Sequence, residues 1–286
     1  MSIVGEASRS RWSIAGQDAI PAGRVPFARP GSIVRRIWGN ADTVLLVFAG
    51  AAAEFALNRE VDWLFFTGRL PDDPIGRLFS TAAYTGGIVF ADVATATRTL
   101  ERIRMIHSAV ERDRGQRIPD HAHRDVLYML IDYSQRAHEL LNGPLSDRER
   151  DELYDVFLRV GEGLRIPELP QTYAGWAVDR EQHMHRDLVR SGGTMALYAQ
   201  YRRHLGAWRY RLLLRLQGLM CPDHVRTLLD LPSGAVLRPL VRLYPLLVRM
   251  RMRPLIQWLL MPAAHLDAVR RLDRSGSESD HEAQRR

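Results

Sequence analysis

The sequence contains no lysine, so each of its 40 basic side chains is an arginine. This absence excludes a Schiff-base lysine, the lysine of a Walker-A phosphate loop and any lysine ligand to a metal. Cysteine is almost as scarce, because Cys221 is the single cysteine among 286 residues. One thiol excludes an intrachain disulfide framework and a cysteine-based zinc cluster, and it suits a reducing compartment.

Long apolar runs are also missing. The longest extends from Val44 to Leu57, is interrupted by Glu54 and comprises 14 residues, fewer than the roughly 20 that a membrane-spanning helix needs. We therefore expect a buried core helix in this segment. The N-terminus shows neither the apolar stretch nor the small-residue cleavage site of a secretory signal. Together these absences predict a cytoplasmic protein.

Acidic residues are few in the last third of the chain. Residues 201–271 hold 13 arginines and three acidic residues, a net charge of +10, whereas residues 37–200 carry a net charge of −6. The local surplus exceeds the net charge of the whole chain, which is +7. A partner with negative charge should therefore be sought at this end of the sequence.

Residues 236–262 combine this positive charge with leucines and Trp258. Four arginines fall on one side of a helical wheel: Arg238, Arg242, Arg249 and Arg253. The combination is typical of a helix on an anionic membrane surface, which for a cytoplasmic protein is the inner membrane face. An arginine-rich solvated face over a core helix is the alternative. No nucleic-acid partner is predicted, because no recognition motif accompanies the charge.

The spacing of apolar residues predicts an all-α fold. From Asp42 onward they recur every three or four positions, without sustained apolar–polar alternation. Ser146 and Glu149 form a capping box that starts one helix, and Gly86-Gly87 is expected to interrupt another. We predict three segments: an irregular, proline-bearing N-terminal arm over residues 1–36, one large helical domain over 37–272, and a disordered polar tail over 273–286.

One histidine lies on an apolar helix face. Asp92 is a suitable N-cap for a helix that runs to about Arg114, and His107 falls within the apolar stripe of that helix. A buried imidazole must find a hydrogen-bond partner or bind a metal. The pattern leaves two interpretations open, a core histidine bonded to a carbonyl oxygen or a metal ligand.

Arg77 and Thr81 stand at positions i and i+4 of another predicted helix and share one face. If they face inward, they offer a guanidinium to a carboxylate or propionate and a hydroxyl to a bound oxygen species. A surface arginine with a threonine that bonds back to its own helix is the alternative.

A second group of histidines lies further along the chain. His183 and Asp187 share a helix face, but a 2-His-1-carboxylate iron site would need another ligand, so a solvated helix face is favoured. His121 and His123 lie beside Pro119 in a predicted loop and fit no ligand spacing.

Six short segments follow one another along roughly two-thirds of the chain: Val44–Leu57, Asp73-Pro74-x-x-Arg77-Leu78-x-x-Thr81, Ile106-His107-x-x-Val110, Leu127–Ile131, Pro144-Leu145-Ser146-x-x-Glu149 and Leu169-Pro170-x-x-Tyr173. In their order and spacing they resemble the haem-dependent oxygenase superfamily of the bacterial latex-clearing proteins, which are rubber oxygenases, and of the fungal MpaB oxygenase. The resemblance implies globin-like helix packing around a b-type haem.

The resemblance also implies roles for individual residues. His107 matches the proximal histidine that ligates the iron, and Arg77 and Thr81 match pocket residues that contact the cofactor and serve catalysis. Ser80 stands where latex-clearing proteins place a lysine, so the distal iron position should be open. The family's His-Pro pair is replaced by Asn58-Arg59-Glu60-Val61, and Glu60 is the candidate base for allylic proton removal.

The sequence therefore predicts a haem-b-dependent oxygenase or related oxidoreductase. Dioxygen or a peroxide would be the oxidant, and the substrate would be small and apolar, of a lipid or isoprenoid kind. A non-catalytic, membrane-associated helical protein that binds haem or lipid is the alternative. An absorption spectrum separates haem from no haem, and oxygen consumption then separates an enzyme from a carrier.

Overall fold

The computed structural model describes residues 25–60 and 73–272, so most of the predicted arm and the whole predicted tail lie outside the described residues. Within those ranges the chain is all-α and contains no β-strand, which confirms the predicted fold class. The helices are α1 (Ile33–Trp38), α2 (Ala41–Leu57), α3 (Pro74–Val89), α4 (Val93–Arg114), α5 (Asp120–Asn142), α6 (Asp147–Gly163), α7 (Tyr173–Asp187), α8 (Gly192–Met220), α9 (Asp223–Leu229), α10 (Arg238–Arg249) and α11 (Arg253–Leu260). Two 3-10 turns, Ala235–Leu237 and Ala263–His265, and a short helix over residues 266–272 complete the described chain.

Helix α2 forms the centre of the core, as its apolar sequence predicts. Nearly all of its residues are buried, and it packs mainly against α5 and α8. A β-carbon at Gly50 would overlap the ring of Tyr133, so the glycine allows α2 and α5 to approach closely. Glu54 is fully buried in this helix, where Arg180 of α7 binds its carboxylate with an Nη1–Oε1 distance of 2.6 Å.

The predicted helix ends are confirmed where a local signal defines them. The Asp92 carboxylate accepts the Thr95 amide at 2.8 Å at the start of α4, and the helix ends at Gly115, whose φ is +68°. Ser146 and Glu149 form the expected capping box of α6. The break expected at Gly86-Gly87 is wrong, because α3 continues to Val89. Ile88 and Val89 are buried there, and this outweighs the roughly 1 kcal/mol that each helical glycine costs.

The predicted N-terminal arm, residues 1–36, includes a stretch that packs on the core. Phe27 is 1% exposed, its amide donates to the Ala91 carbonyl at 2.9 Å, and helix α1 begins at Ile33. The prolines of this segment suggested irregular backbone. However, Phe27 and Ile33 supply apolar surface that the core buries, which outweighs that local signal.

The segment whose four arginines share one helical wheel in the sequence forms two helices, α10 and α11, and Arg253 belongs to the second. Pro245 lies inside α10 and does not end it, while Pro254 occupies the first turn of α11, where a missing amide costs nothing. Arg251 has a φ of +60° in the turn between these two helices. Among the helices of the described ranges, none combines the length and hydropathy required to cross a bilayer.

Candidate functional site

His107 projects from the second half of α4 toward the first turn of α5. Its ring lies against that of His123, with 4.8 Å between the ring centroids. Burial, followed by the neighbouring His123 and Arg77, lowers the pKa of the His107 imidazole to about 4, although Glu111 acts in the opposite direction. His107 is therefore neutral at pH 7.

The ring nitrogens of His107 accept and donate no hydrogen bond within the described ranges, so no carbonyl there holds the imidazole as a core histidine would be held. A neutral imidazole with a free lone pair is the form that ligates iron. The donor chemistry of this position therefore fits a haem iron.

Arg77 and Thr81 lie on α3, which packs beside α4. The Arg77 side chain is exposed, and its charge is close enough to lower the pKa of His107. The Thr81 hydroxyl donates to the Arg77 carbonyl at 3.2 Å, and the Ser80 hydroxyl donates to the Gly76 carbonyl at 3.0 Å. The structure thus places Arg77 near His107, whereas both hydroxyl protons are directed into the helix.

Glu60 follows α2 and contacts His121 and Asn58. One of its carboxylate oxygens lies 3.2 Å from Nε2 of His121, and its amide donates to the Asn58 side chain at 2.9 Å. His121 and His123 both stand in the first turn of α5. His121 faces Glu60 while His123 contacts His107. His121 and His123 fit no ligand spacing in the sequence, yet in the structure one contacts Glu60 and the other contacts His107.

A buried group of polar side chains surrounds His183 on α7. Its Nδ1 lies 2.8 Å from Asp125 Oδ1 and 3.2 Å from Asp187 Oδ2, and these three residues are 2–4% exposed. The solvated helix face that the sequence favours for His183 and Asp187 is therefore wrong. The reason is that α7 packs this face against α5, which contributes Asp125 from 58 positions earlier in the chain.

One nitrogen and two carboxylates within 4.8 Å of one another are a set that could hold a metal ion. The guanidinium of Arg186 already lies among them, with Nη2 2.6 Å from Asp187 Oδ2 and 3.1 Å from His183 Nδ1. Although burial acts to raise it, the pKa of Asp187 is lowered by the hydrogen bonds and charge of Arg186. Asn58 donates to the remaining Asp125 oxygen at 2.7 Å. The Arg186 guanidinium and the Asn58 amide thus provide the hydrogen bonds of Asp125, His183 and Asp187 without a metal ion.

Replacement of His183 by alanine is expected to lower the free energy of unfolding by about 3 kcal/mol, because Asp125 and Asp187 would lose a buried partner. Chemical denaturation monitored by circular dichroism measures this change. His185 lies on the same helix with an exposed side chain, so His185→Ala is the matched control and should cost less than about 0.5 kcal/mol. Equal losses in the two variants would contradict the structural role of His183.

An apolar cavity of about 90 Å³ lies on the other side of α3. Its lining comes mainly from α2, α3, α8 and α11 and includes Ile75, Leu78, Phe79, Tyr201 and Leu260, with Met261 just after α11 and Leu272 in the short last helix. On a helical wheel, Ile75 and Phe79 point away from Arg77 and Thr81, so α3 separates the cavity from the His107 side. The cavity is suited to an apolar group.

Comparison with known proteins gives one family. A family model described as "ER-bound oxygenase mpaB/B'/Rubber oxygenase, catalytic domain" matches residues 35–250. The match includes α2 through α10 and thus contains Arg77, Thr81, His107 and Glu60. No curated protein and no solved structure matches the chain.

Proposed function

The chain belongs to the family of the mpaB and rubber oxygenase catalytic domain, and from this membership we propose that it is a haem-b oxygenase with His107 as its iron ligand. One observation carries the proposal, namely the half-buried imidazole of His107, which is neutral at pH 7 and makes no hydrogen bond within the described ranges. When bound, haem b supplies an iron at which dioxygen or a peroxide is activated.

The residues around His107 serve this proposal in distinct ways. The Arg77 guanidinium provides a cation that can pair with a haem propionate, and its exposed position suits the solvent-facing edge of a porphyrin. Ser80 is a poor iron ligand, so its hydroxyl would not compete with the oxidant for a bound haem iron. Thr81 offers the lone pairs of its hydroxyl oxygen, since the proton is donated to the Arg77 carbonyl.

Glu60 is the proposed proton acceptor. Its carboxylate is half-buried and lies 3.2 Å from His121, so a proton taken from an allylic carbon can be shared with that imidazole. The proposed substrate is small and apolar, of the lipid or isoprenoid kind, because the family description names a rubber oxygenase. The apolar cavity suits such a molecule but lies across α3 from His107, so it is a holding site and not the site of reaction.

Titration of the purified chain with hemin tests the proposal. We expect a Soret band that saturates at one hemin per chain and shifts on reduction with dithionite. Oxygen consumption with a reductant and candidate alkenes should then follow. A titration that shows only the spectrum of free hemin contradicts the haem proposal. A saturating Soret band without oxygen consumption for any alkene favours the non-catalytic haem- or lipid-binding alternative.

A further inference from the structure

The last helices carry an unusual concentration of exposed apolar side chains. Eight of them are 37–62% exposed: Val236, Leu240, Leu243, Leu246, Met250, Leu255, Trp258 and Leu259. We call this set the C-terminal surface. Single exposed leucines are ordinary, but eight exposed apolar side chains within residues 236–259 mark an interaction surface.

Arginines border the C-terminal surface on α10. On a helical wheel, Arg238, Arg242 and Arg249 lie within about 40° of one another, and all three side chains are exposed. Leu246 and Leu243 occupy the next ~100° of the same helix, also exposed. No acidic residue occurs between positions 231 and 266. Positive charge and apolar side chains therefore share one outer face, and no acidic side chain within this segment neutralises the charge.

The inner side of the same helices is anchored by one buried carboxylate. Asp42, at the start of α2, accepts hydrogen bonds from Tyr244 at 2.7 Å, from Arg253 Nε at 2.9 Å and from Gln257 at 3.1 Å. Arg253, which the sequence groups with Arg238, Arg242 and Arg249, therefore anchors α11 to the core and does not belong to the outer face. Asp42 fixes α10 and α11 to the core, so their outer face is held in a defined orientation.

Two tryptophans extend the surface to α8. The Arg209 guanidinium lies 4.4 Å from the ring centroid of Trp208 and 5.9 Å from that of Trp258, and the two indoles are 43% and 50% exposed. Tryptophan is the residue that membrane proteins place at the level of the lipid headgroups, often beside arginine.

We propose that the C-terminal surface docks on an anionic lipid bilayer, with the arginines at the headgroups and the leucines and Trp258 inserted among them. Lipid headgroups supply the negative charge and the acyl boundary supplies the apolar phase, so one partner satisfies both kinds of side chain. A second copy of the chain would bring arginine against arginine. A nucleic acid would leave the leucines in water. Docking does not require haem and is independent of the proposed oxygenase activity.

Docking would also bring the membrane next to the apolar cavity. Leu260 ends α11, the helix that carries Leu255 and Trp258, and both Leu260 and Met261 line the cavity. An apolar molecule dissolved in the bilayer would therefore meet the cavity wall without crossing the aqueous phase.

Vesicle flotation of the full chain tests the proposal. We expect binding to phosphatidylcholine vesicles with about 30 mol% phosphatidylglycerol, and much weaker binding to pure phosphatidylcholine. Leu243→Asp combined with Leu246→Asp should reduce the partition coefficient at least about tenfold. Val178→Asp combined with Met195→Asp makes the same charge change at exposed apolar positions elsewhere and should retain binding.

Arg242→Gln combined with Arg249→Gln should weaken binding to the anionic vesicles about 25-fold, at about fivefold for each arginine. Circular dichroism melts check that each variant remains folded. Failure of the wild type to float, or equal flotation of the Leu243/Leu246 variant, overturns the proposal. A dimer in size-exclusion chromatography that this variant dissociates, without vesicle binding by the wild type, would assign the surface to a second copy instead.

Discussion

Replacement of His107 by alanine is expected to abolish specific hemin binding, so that the Soret band of the reconstituted wild type is absent. The loss should be complete because the alanine removes the one proposed iron ligand. The pKa of His107 is about 4, so the imidazole remains neutral from pH 8 to about pH 5 and protonation cannot cause the loss in that range. The unfolding midpoint of the haem-free chain should change little, because this half-buried side chain makes no hydrogen bond with any described residue.

Two variants and one rescue make this result specific to His107. His185→Ala removes an exposed histidine and should leave hemin binding unchanged. His123→Ala tests the other ring of the stacked pair and should retain a Soret band with altered position. Added imidazole should restore the band in His107→Ala, because a free imidazole can enter the space left by the side chain. A variant series in which His123→Ala loses the band and His107→Ala keeps it would assign the iron to His123.

The extent to which the sequence predicts the fold follows from how local each signal is. Asp92 and Gly115 define both ends of α4, because capping depends on hydrogen bonds within a few residues. The glycine pair at 86–87 and the prolines before α1 are equally local signals. However, α3 continues through the glycines, and the core buries Phe27 and Ala28, which lie between Pro26 and Pro30. In both places the free energy gained by burying neighbouring apolar side chains is larger than the local preference; for each glycine in α3 that preference is worth about 1 kcal/mol.

At the candidate site, too, local patterns predict some features and tertiary packing determines the others. The apolar stripe of α4 places His107 on an inward face, since helical periodicity fixes that direction. His123 comes from α5, and only the packing of two helices brings its ring to His107. Asp125 is likewise joined to His183 by the packing of α5 on α7. Such partners are separated by 16 to 58 positions, and no spacing rule in a single sequence connects them.

The second large effect concerns the buried ion pair of α2 and α7. Arg180 binds both oxygens of Glu54 and donates to Asp132 at 3.2 Å, and all three residues are 0–8% exposed. Arg180→Met is expected to lower the free energy of unfolding by about 3–5 kcal/mol at pH 7.5, because an unpaired carboxylate remains in the core. Exposed Arg202 on α8 provides the matched control, and Arg202→Met should change the free energy by less than about 0.5 kcal/mol.

The pH dependence of this loss identifies its cause. Burial already raises the pKa of Glu54 even with Arg180 in place, and without the guanidinium the pKa should rise further. A carboxyl whose folded-state pKa lies above its unfolded value contributes stability at low pH and loses it as the pH rises. The gap between wild type and Arg180→Met should therefore narrow from pH 7.5 to pH 5 in urea denaturation. Glu54→Leu combined with Arg180→Met should recover part of the loss at pH 7.5, since it removes the unpaired charge. A gap that stays constant with pH and persists in the double variant would mean that lost packing of the arginine stem, and not the stranded carboxylate, destabilises the core.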